Sequence, residues 1–219
     1  MFSFKKIFLV FLCAASVLTA SAQPFKEDIQ NFKKQDSINP PPQHAILFVG
    51  SSSFTKWKDV QDYFPGYTII NRGFGGSSLP DVIRYANDII IPYRPKQVVI
   101  YCGDNDLAAS DTVTAEMVVS RFKNLFFLIR KKLPNESIAF VSIKPSPSRA
   151  RLMAKGETAN KAIKKFLASQ KNTSFIDVYH LMLEENRKPM PSIFLQDSLH
   201  MNEKGYAIWK KAIEPHLKK

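Results

Sequence analysis

The chain has 219 residues and carries 31 Lys and Arg against 19 Asp and Glu, a formal net charge of +12. An apolar share of 45% with 23% charged residues excludes a disordered or fibrous chain, and two cysteines exclude a disulfide scaffold. The basic balance suits anionic envelope components or acidic glycans. The lysines are scattered as pairs (Lys131-Lys132, Lys164-Lys165, Lys210-Lys211, Lys218-Lys219) without a recognition motif, so no nucleic-acid partner is expected.

Met1–Ala22 has the grammar of a secretory leader. Lys5 and Lys6 precede the apolar run Ile7–Ala20, and Ala20-Ser21-Ala22 forms a small-residue cleavage site before Gln23. The run is short for a bilayer span and polar sequence follows at once, so stable membrane insertion is not expected. Cys13 lies inside the run, without the small residue that precedes a lipoprotein cysteine. Export to a periplasm or out of the cell is the expectation. Removal of the leader leaves 197 residues at +10, with Cys102 as the only thiol. One domain over residues 23–219, held by packing without a disulfide, follows.

Pro24–Asp36 reads as an extra N-terminal helix, set apart by Pro40-Pro41-Pro42. Five apolar runs then recur: Ala45–Val49, Tyr67–Asn71, Gln97–Cys102, Ser137–Val141 and Ser174–Val178. Helical patterns separate them. Ser78 and Asp81 have capping-box spacing and open Leu79–Ile91. Val113, Met117, Phe122, Leu125, Phe126, Ile129 and Leu133 mark one face of a long helix closed by Pro134. Arg149–Gln170 is a more polar helix, and Asn202 can cap a last one through His216 with Tyr206, Trp209, Ile213 and Leu217 inward. This alternation predicts parallel crossovers, hence an α/β fold: a three-layer α/β/α, five-stranded parallel sheet.

Ligands of such sheets bind beyond the carboxyl ends of the strands, so each strand exit is read for chemistry. The exits carry Gly50-Ser51-Ser52-Ser53, the glycine-rich Asn71–Ser77, Gly103-Asp104-Asn105-Asp106, and Ser142–Arg149. Asp197-Ser198-Leu199-His200 precedes the last helix. A serine before a helix is, taken alone, a plain N-cap. Together the exits supply every part of acyl transfer from serine. His200 can take the serine proton, and Asp197 can orient the imidazole and stabilise its cation. A serine N–H, the Gly76 N–H and the Asn105 amide are three donors for a tetrahedral oxyanion.

The blocks FVGSSS, NRGFGGSS, GDND and DSLH, in this order, resemble the four signature blocks of the GDSL-type esterases and acylhydrolases of the SGNH hydrolase superfamily. The resemblance spans the chain from about Ala45 onward. It implies a flavodoxin-like three-layer fold, ester hydrolysis by serine, and no cofactor or metal. Carried over block by block, it implies Ser52 as nucleophile, Asp197 and His200 as its partners, and an oxyanion hole of Ser52, Gly76 and Asn105. One departure stands out. The family usually has an acidic residue before the nucleophile, and this chain has Ser51, which predicts altered local hydrogen bonding and leaves Ser51 and Ser53 as competitors of Ser52. Gly75 competes with Gly76 as donor.

Other polar residues read as structural. Asp104 and Asp106 lack a histidine or third carboxylate and serve as loop acceptors, as does Asp177. His44, His180 and His216 lack an acidic partner at useful spacing beside another block. Trp57, Arg72, Lys144 and Arg149 sit where substrate contact is conceivable, although long side chains at a rim are commonly solvated. Short polar loops leave little chain for a lid, so the expected substrate is a small or carbohydrate ester carrying a short acyl group such as acetyl. The competing readings are a lysophospholipase or broad acylhydrolase, and a non-catalytic glycan-binding protein on the same scaffold. A phosphate-processing enzyme would need a phosphate-loop lysine pattern that is missing.

Overall fold

Short apolar strands, each stopped by glycine or polar residues, build the centre of the protein. The structure, a computed structural model, describes residues 23–219. The leader expected over Met1–Ala22 lies outside the described residues. The strands are β1 (Ile46–Gly50), β2 (Ile69–Gly73), β3 (Gln97–Tyr101), β4 (Ser137–Val141) and β5 (Thr173–Ile176). They form one parallel sheet in the order β2-β1-β3-β4-β5. Strand order reverses on either side of β1 and β3, which places a crevice at the ends of these two strands.

The helices are α1 (Lys26–Ile38), α2 (Ser52–Thr55), α3 (Val60–Tyr63), α4 (Leu79–Ile89), α5 (Asp104–Ala109), α6 (Ala115–Lys132), α7 (Met153–Ala168) and α8 (Glu203–Ile213). Alternation along each strand divides the core in two. Leu47, Val49, Val98, Ile100, Ile138 and Phe140 pack against α4, α6 and α7 on one face. Ile46, Phe48, Val99, Tyr101, Ala139 and Val141 pack against α2, α3 and α8 on the other. All five strands and the three layers thus follow the pattern read from the sequence. No described helix is long and apolar enough to cross a membrane.

Two local readings change. Met117 is 41% exposed, and Val118 takes its place in the core. The cause is the cap: the Thr114 hydroxyl accepts the Met117 N–H and starts α6 at Ala115. That phase turns Val118, Phe122, Leu125, Phe126 and Ile129 inward. The helix expected from Arg149 begins instead with a 3-10 stretch, Pro147–Leu152, before α7. At α4 the expected cap forms, the Asp81 carboxylate accepting the Ser78 backbone N–H at 3.0 Å and its hydroxyl at 2.5 Å.

Behind the crevice lies an aromatic cluster of Phe48, Phe54, Trp57, Phe64, Tyr101 and Trp209, all fully buried. Trp57 stacks on Tyr206 (4.8 Å, 28°), and Phe54 meets Trp209 edge-on (5.9 Å, 88°). Each such side chain stabilises the fold by about 1.5–3 kcal/mol through burial. Phe54 and Trp57 directly follow the three serines, so this packing anchors the first strand exit.

Candidate active site

The serine turn begins where β1 ends. Gly50 has φ +138, and a Cβ there would stand 1.9 Å from the Tyr101 carbonyl oxygen. Only glycine lets β1 pass so close to β3 and then swing into α2. The Asn71 side chain from β2 secures the far end, its Nδ2 donating to the Phe54 carbonyl at 2.7 Å while its Oδ1 accepts the Gly73 N–H at 3.0 Å.

Of the three serines, one faces the crevice. Ser51 and Ser53 are buried, whereas Ser52 is partly exposed. Ser52 Oγ lies 3.0 Å from His200 Nε2. His200 Nδ1 lies 2.6 Å from Asp197 Oδ2. The Asp197 carboxylate also accepts the backbone N–H groups of His200 (2.9 Å) and Leu199 (3.0 Å). The turn is tight because Ser198 takes a left-handed φ of +55. The His200 ring hydrogen bond, followed by those two backbone donors, holds the Asp197 carboxyl well below the usual carboxylate range. An ionised Asp197 fixes the proton on Nδ1 and leaves the Nε2 lone pair for the Ser52 hydroxyl.

Donors converge on the same place. Among the described residues, the backbone N–H groups of Ser52, Gly75 and Gly76 have no hydrogen-bond partner. A Cβ on Gly75 would stand 3.9 Å from the Ser52 Cβ, so the glycine loop lies directly against the serine. Gly76 has φ +85 and presents its α-carbon to the Phe25 ring. Asn105 Nδ2 donates one hydrogen to the Ser77 carbonyl at 2.9 Å and keeps a second.

The departure at residue 51 has a local cause. The Ser51 hydroxyl donates to Asp104 Oδ1 at a long 3.5 Å. Asp104 is buried, with Lys144 Nζ at 3.5 Å and Arg149 Nη1 at 3.0 Å from its Oδ2. Burial by itself would push this carboxyl up; the charges of Lys144 and Arg149 outweigh it and hold it below its ordinary value. A carboxylate already occupies this corner, and an acidic residue at position 51 would stand against it. Asp106 is tied down separately, accepting the Leu79 N–H at 2.9 Å and Arg121 Nη1 at 2.8 Å. The two aspartates are loop acceptors, as expected.

Several expectations are corrected. Trp57 is fully buried in the aromatic cluster and touches no substrate space. Arg72 is turned toward α1, where it pairs with Asp36, hydrogen-bonds Tyr93 Oη at 2.6 Å and stacks over Phe32 and Tyr93. Lys144 is buried over the Tyr101 ring, and burial pushes its ammonium pKa down against the pull of Asp104. His180 does have an acidic partner, Asp177, at 2.7 Å from Nδ1. The turn after β5 brings residues three apart together, as it does at Asp197 and His200, and Asp177 also accepts the His180 N–H. Arg149 alone of the four rim residues stands at the site, where Nη2 donates to Asn105 Oδ1 at 2.8 Å. Nothing in the local sequence signals this pairing, since 44 residues separate the two.

The profile of the GDSL-like lipase/acylhydrolase family matches residues 46–208. Among solved structures, a GDSL-like lipase from Bacteroides thetaiotaomicron is similar at 19% identity and a TM-score of 0.73, over 85% of this chain and 95% of that one. A lipase/acylhydrolase from Enterococcus faecalis is similar at 20% identity and 0.63, over 80% and 97%. A catalytic mutant of an acetylxylan esterase from Geobacillus stearothermophilus is similar at 15% identity and 0.63, over 80% and 94%. A search of curated proteins gave no match. With its profile match running from the first strand into the last helix, over well more than half of its length, the chain belongs to the GDSL-like lipase/acylhydrolase family, a family of ester hydrolases.

Proposed function

We propose that the protein cleaves short O-acyl esters, acetyl groups on carbohydrate foremost, through an acyl-enzyme on Ser52. The observation that carries this reading is the continuous chain Ser52 Oγ, His200 Nε2, His200 Nδ1, Asp197 Oδ2, with links of 3.0 and 2.6 Å. His200 removes the hydroxyl proton as Ser52 Oγ bonds to the acyl carbon. The carbonyl oxygen, now an oxyanion, accepts hydrogen bonds from the Ser52 and Gly76 N–H groups and from Asn105 Nδ2. His200 then protonates the departing alcohol and the C–O bond breaks. Water attacks the acyl-enzyme with the same histidine as base, and His200 returns that proton to Ser52 Oγ as the Oγ–acyl bond breaks and the acid leaves.

Two features support a short acyl group. β1 and β3 pass almost directly into α2 and α5, with no inserted segment to roof a long chain. The glycine loop is exposed and the Asp197 side chain is 46% exposed, so the rim is open to a bulky alcohol such as a sugar. The same scaffold carries an acetylxylan esterase. The leader Met1–Ala22 supports export, with Gln23 as the first mature residue.

The test is turnover of p-nitrophenyl esters from acetyl to decanoyl, alongside acetylated xylo-oligosaccharides, by wild type and Ser52→Ala. Wild type should prefer acetyl and release acetate from the sugar. Ser52→Ala should lose about 10⁴-fold or more in kcat while keeping its circular dichroism spectrum. An octanoyl preference would move the substrate to the lipid class, and an active Ser52→Ala would remove the serine mechanism.

A further inference from the structure

The segment leaving β4, Lys144-Pro145-Ser146-Pro147-Ser148-Arg149, holds none of the reacting groups, yet it touches both halves of the site. Ser148 donates to the Ser198 carbonyl twice, through its backbone N–H at 3.1 Å and its hydroxyl at 2.9 Å. Ser198 is the left-handed residue of the turn that carries Asp197 and His200. One residue later, Arg149 Nη2 donates to Asn105 Oδ1 at 2.8 Å. Its Nη1 stands 3.0 Å from Asp104 Oδ2, an ion-pair contact without a hydrogen bond aligned along it.

We infer that Arg149 is a positioning residue of the oxyanion hole: its guanidinium fixes and polarises the Asn105 amide so that the free Nδ2 hydrogen faces the reacting carbonyl oxygen. The inference rests on the proposed roles of Ser52, Asn105 and His200.

The donor inventory forces the orientation. A guanidinium has only donors, so the atom of Asn105 that faces it must be Oδ1. The Ser77 carbonyl has only lone pairs, so the atom facing it must be Nδ2. Held between these two contacts, the amide cannot flip. A flipped amide would turn an oxygen toward the oxyanion and convert attraction into repulsion. Arg149 adds a second effect. Its charge pulls electron density toward Oδ1 and strengthens the opposite N–H as a donor. That charge is not cancelled locally, because Arg149 and Lys144 share the single carboxylate of Asp104. Arg149 is only 21% exposed, so water screens the arrangement little.

A double-mutant cycle between Arg149 and Asn105 tests this on p-nitrophenyl acetate. Arg149→Ala should lower kcat about 10- to 100-fold with KM unchanged, because the interaction strengthens only as the oxyanion forms. Arg149→Lys, which keeps one donor and the charge, should recover part of the loss. In an Asn105→Ala background neither substitution should cost anything further, since the group through which Arg149 acts is gone. Thermal melts of all variants accompany the kinetics. If Arg149→Ala does not fold, the cycle is read with Arg149→Lys alone, and the expected result is a smaller loss of kcat that is present with Asn105 and absent with Asn105→Ala. Three results would overturn the inference: an unchanged kcat, a loss borne by KM, or an equal loss with and without Asn105. Ser52→Ala separates the two levels. An active Ser52→Ala removes the serine reading itself, whereas an inactive one with an additive cycle removes only the role of Arg149.

Discussion

The Tyr206 hydroxyl donates to the Ser53 carbonyl at 2.9 Å across 153 residues of chain. Tyr206 belongs to α8, which follows the His200 turn, and Ser53 belongs to the serine turn, so this bond ties the two segments from behind. The stacked Trp57 ring backs it at 4.8 Å. Tyr206→Phe leaves a buried carbonyl without its partner, and a loss of about 1–2 kcal/mol in unfolding free energy is expected. The Ser52–His200 distance then loosens, and kcat should fall severalfold. Urea melts and steady-state kinetics on the same preparation check both.

In the proposed mechanism, Asn105→Ala removes a single donor from the oxyanion. Such donors contribute about 2.7–4 kcal/mol in the transition state, so kcat should fall about 10²- to 10³-fold while KM stays near wild type. A rise in KM at constant kcat would instead make Asn105 a ground-state binding group.

Ser51→Asp places an acidic residue before Ser52 but sets it against Asp104, which already receives the Ser51 hydroxyl. Two carboxylates in one buried corner cannot both ionise cheaply. The variant should unfold about 1–3 kcal/mol more easily at pH 7 and regain part of this below pH about 5, where one carboxyl protonates. Coupling it with Asp104→Ala should relieve the penalty, and chemical denaturation across pH measures each step.

Acid should weaken the fold through Asp104 and Asp197. Both carboxyls are held below their ordinary values in the folded protein. Their stabilisation is therefore complete above the unfolded carboxylate pKa near 4 and is lost as pH falls through the folded values. Asp106 is shifted the other way, mainly by burial, so its contribution is present in acid and lost as pH rises through its folded value. Asp104→Asn should cost about 3 kcal/mol at pH 7 by leaving Lys144 and Arg149 without their carboxylate. The gap to wild type should begin to narrow below pH about 4 and close only as pH falls through the still lower folded value of Asp104, where the wild-type carboxyl itself protonates. A gap that stays constant across this range would exclude the ion pair as its source.

Trp57→Ala distinguishes packing from substrate contact. The side chain is fully buried among Phe48, Phe64 and Tyr206, so a loss of about 3–5 kcal/mol in stability is expected with KM unchanged for the folded fraction. Differential scanning calorimetry and a substrate titration below the shifted Tm provide the comparison.

The strands were legible because burial writes itself locally: five apolar runs bounded by breakers mark five strands whatever surrounds them. The candidate groups were legible for a related reason. The three serines and Asn105 sit in short blocks at strand exits, Asp197 and His200 in a block before the last helix, and topology carries these blocks to one edge. What surrounds them was not. Trp57, Arg72 and Arg149 look alike in sequence, as large side chains beside a glycine-rich or polar turn. One enters the aromatic core, one turns to Asp36 on α1, and one reaches Asn105. The sequence by itself determined the parallel sheet and which blocks reach the crevice, because periodicity and block order are properties of the chain. Only the tertiary structure decided that Ser52 rather than its neighbours meets His200, that Asp104 occupies the corner beside Ser51, and that Arg149 stands behind Asn105. These depend on which side chains share a buried space, and with 44 to 148 residues between the partners no local pattern encodes that.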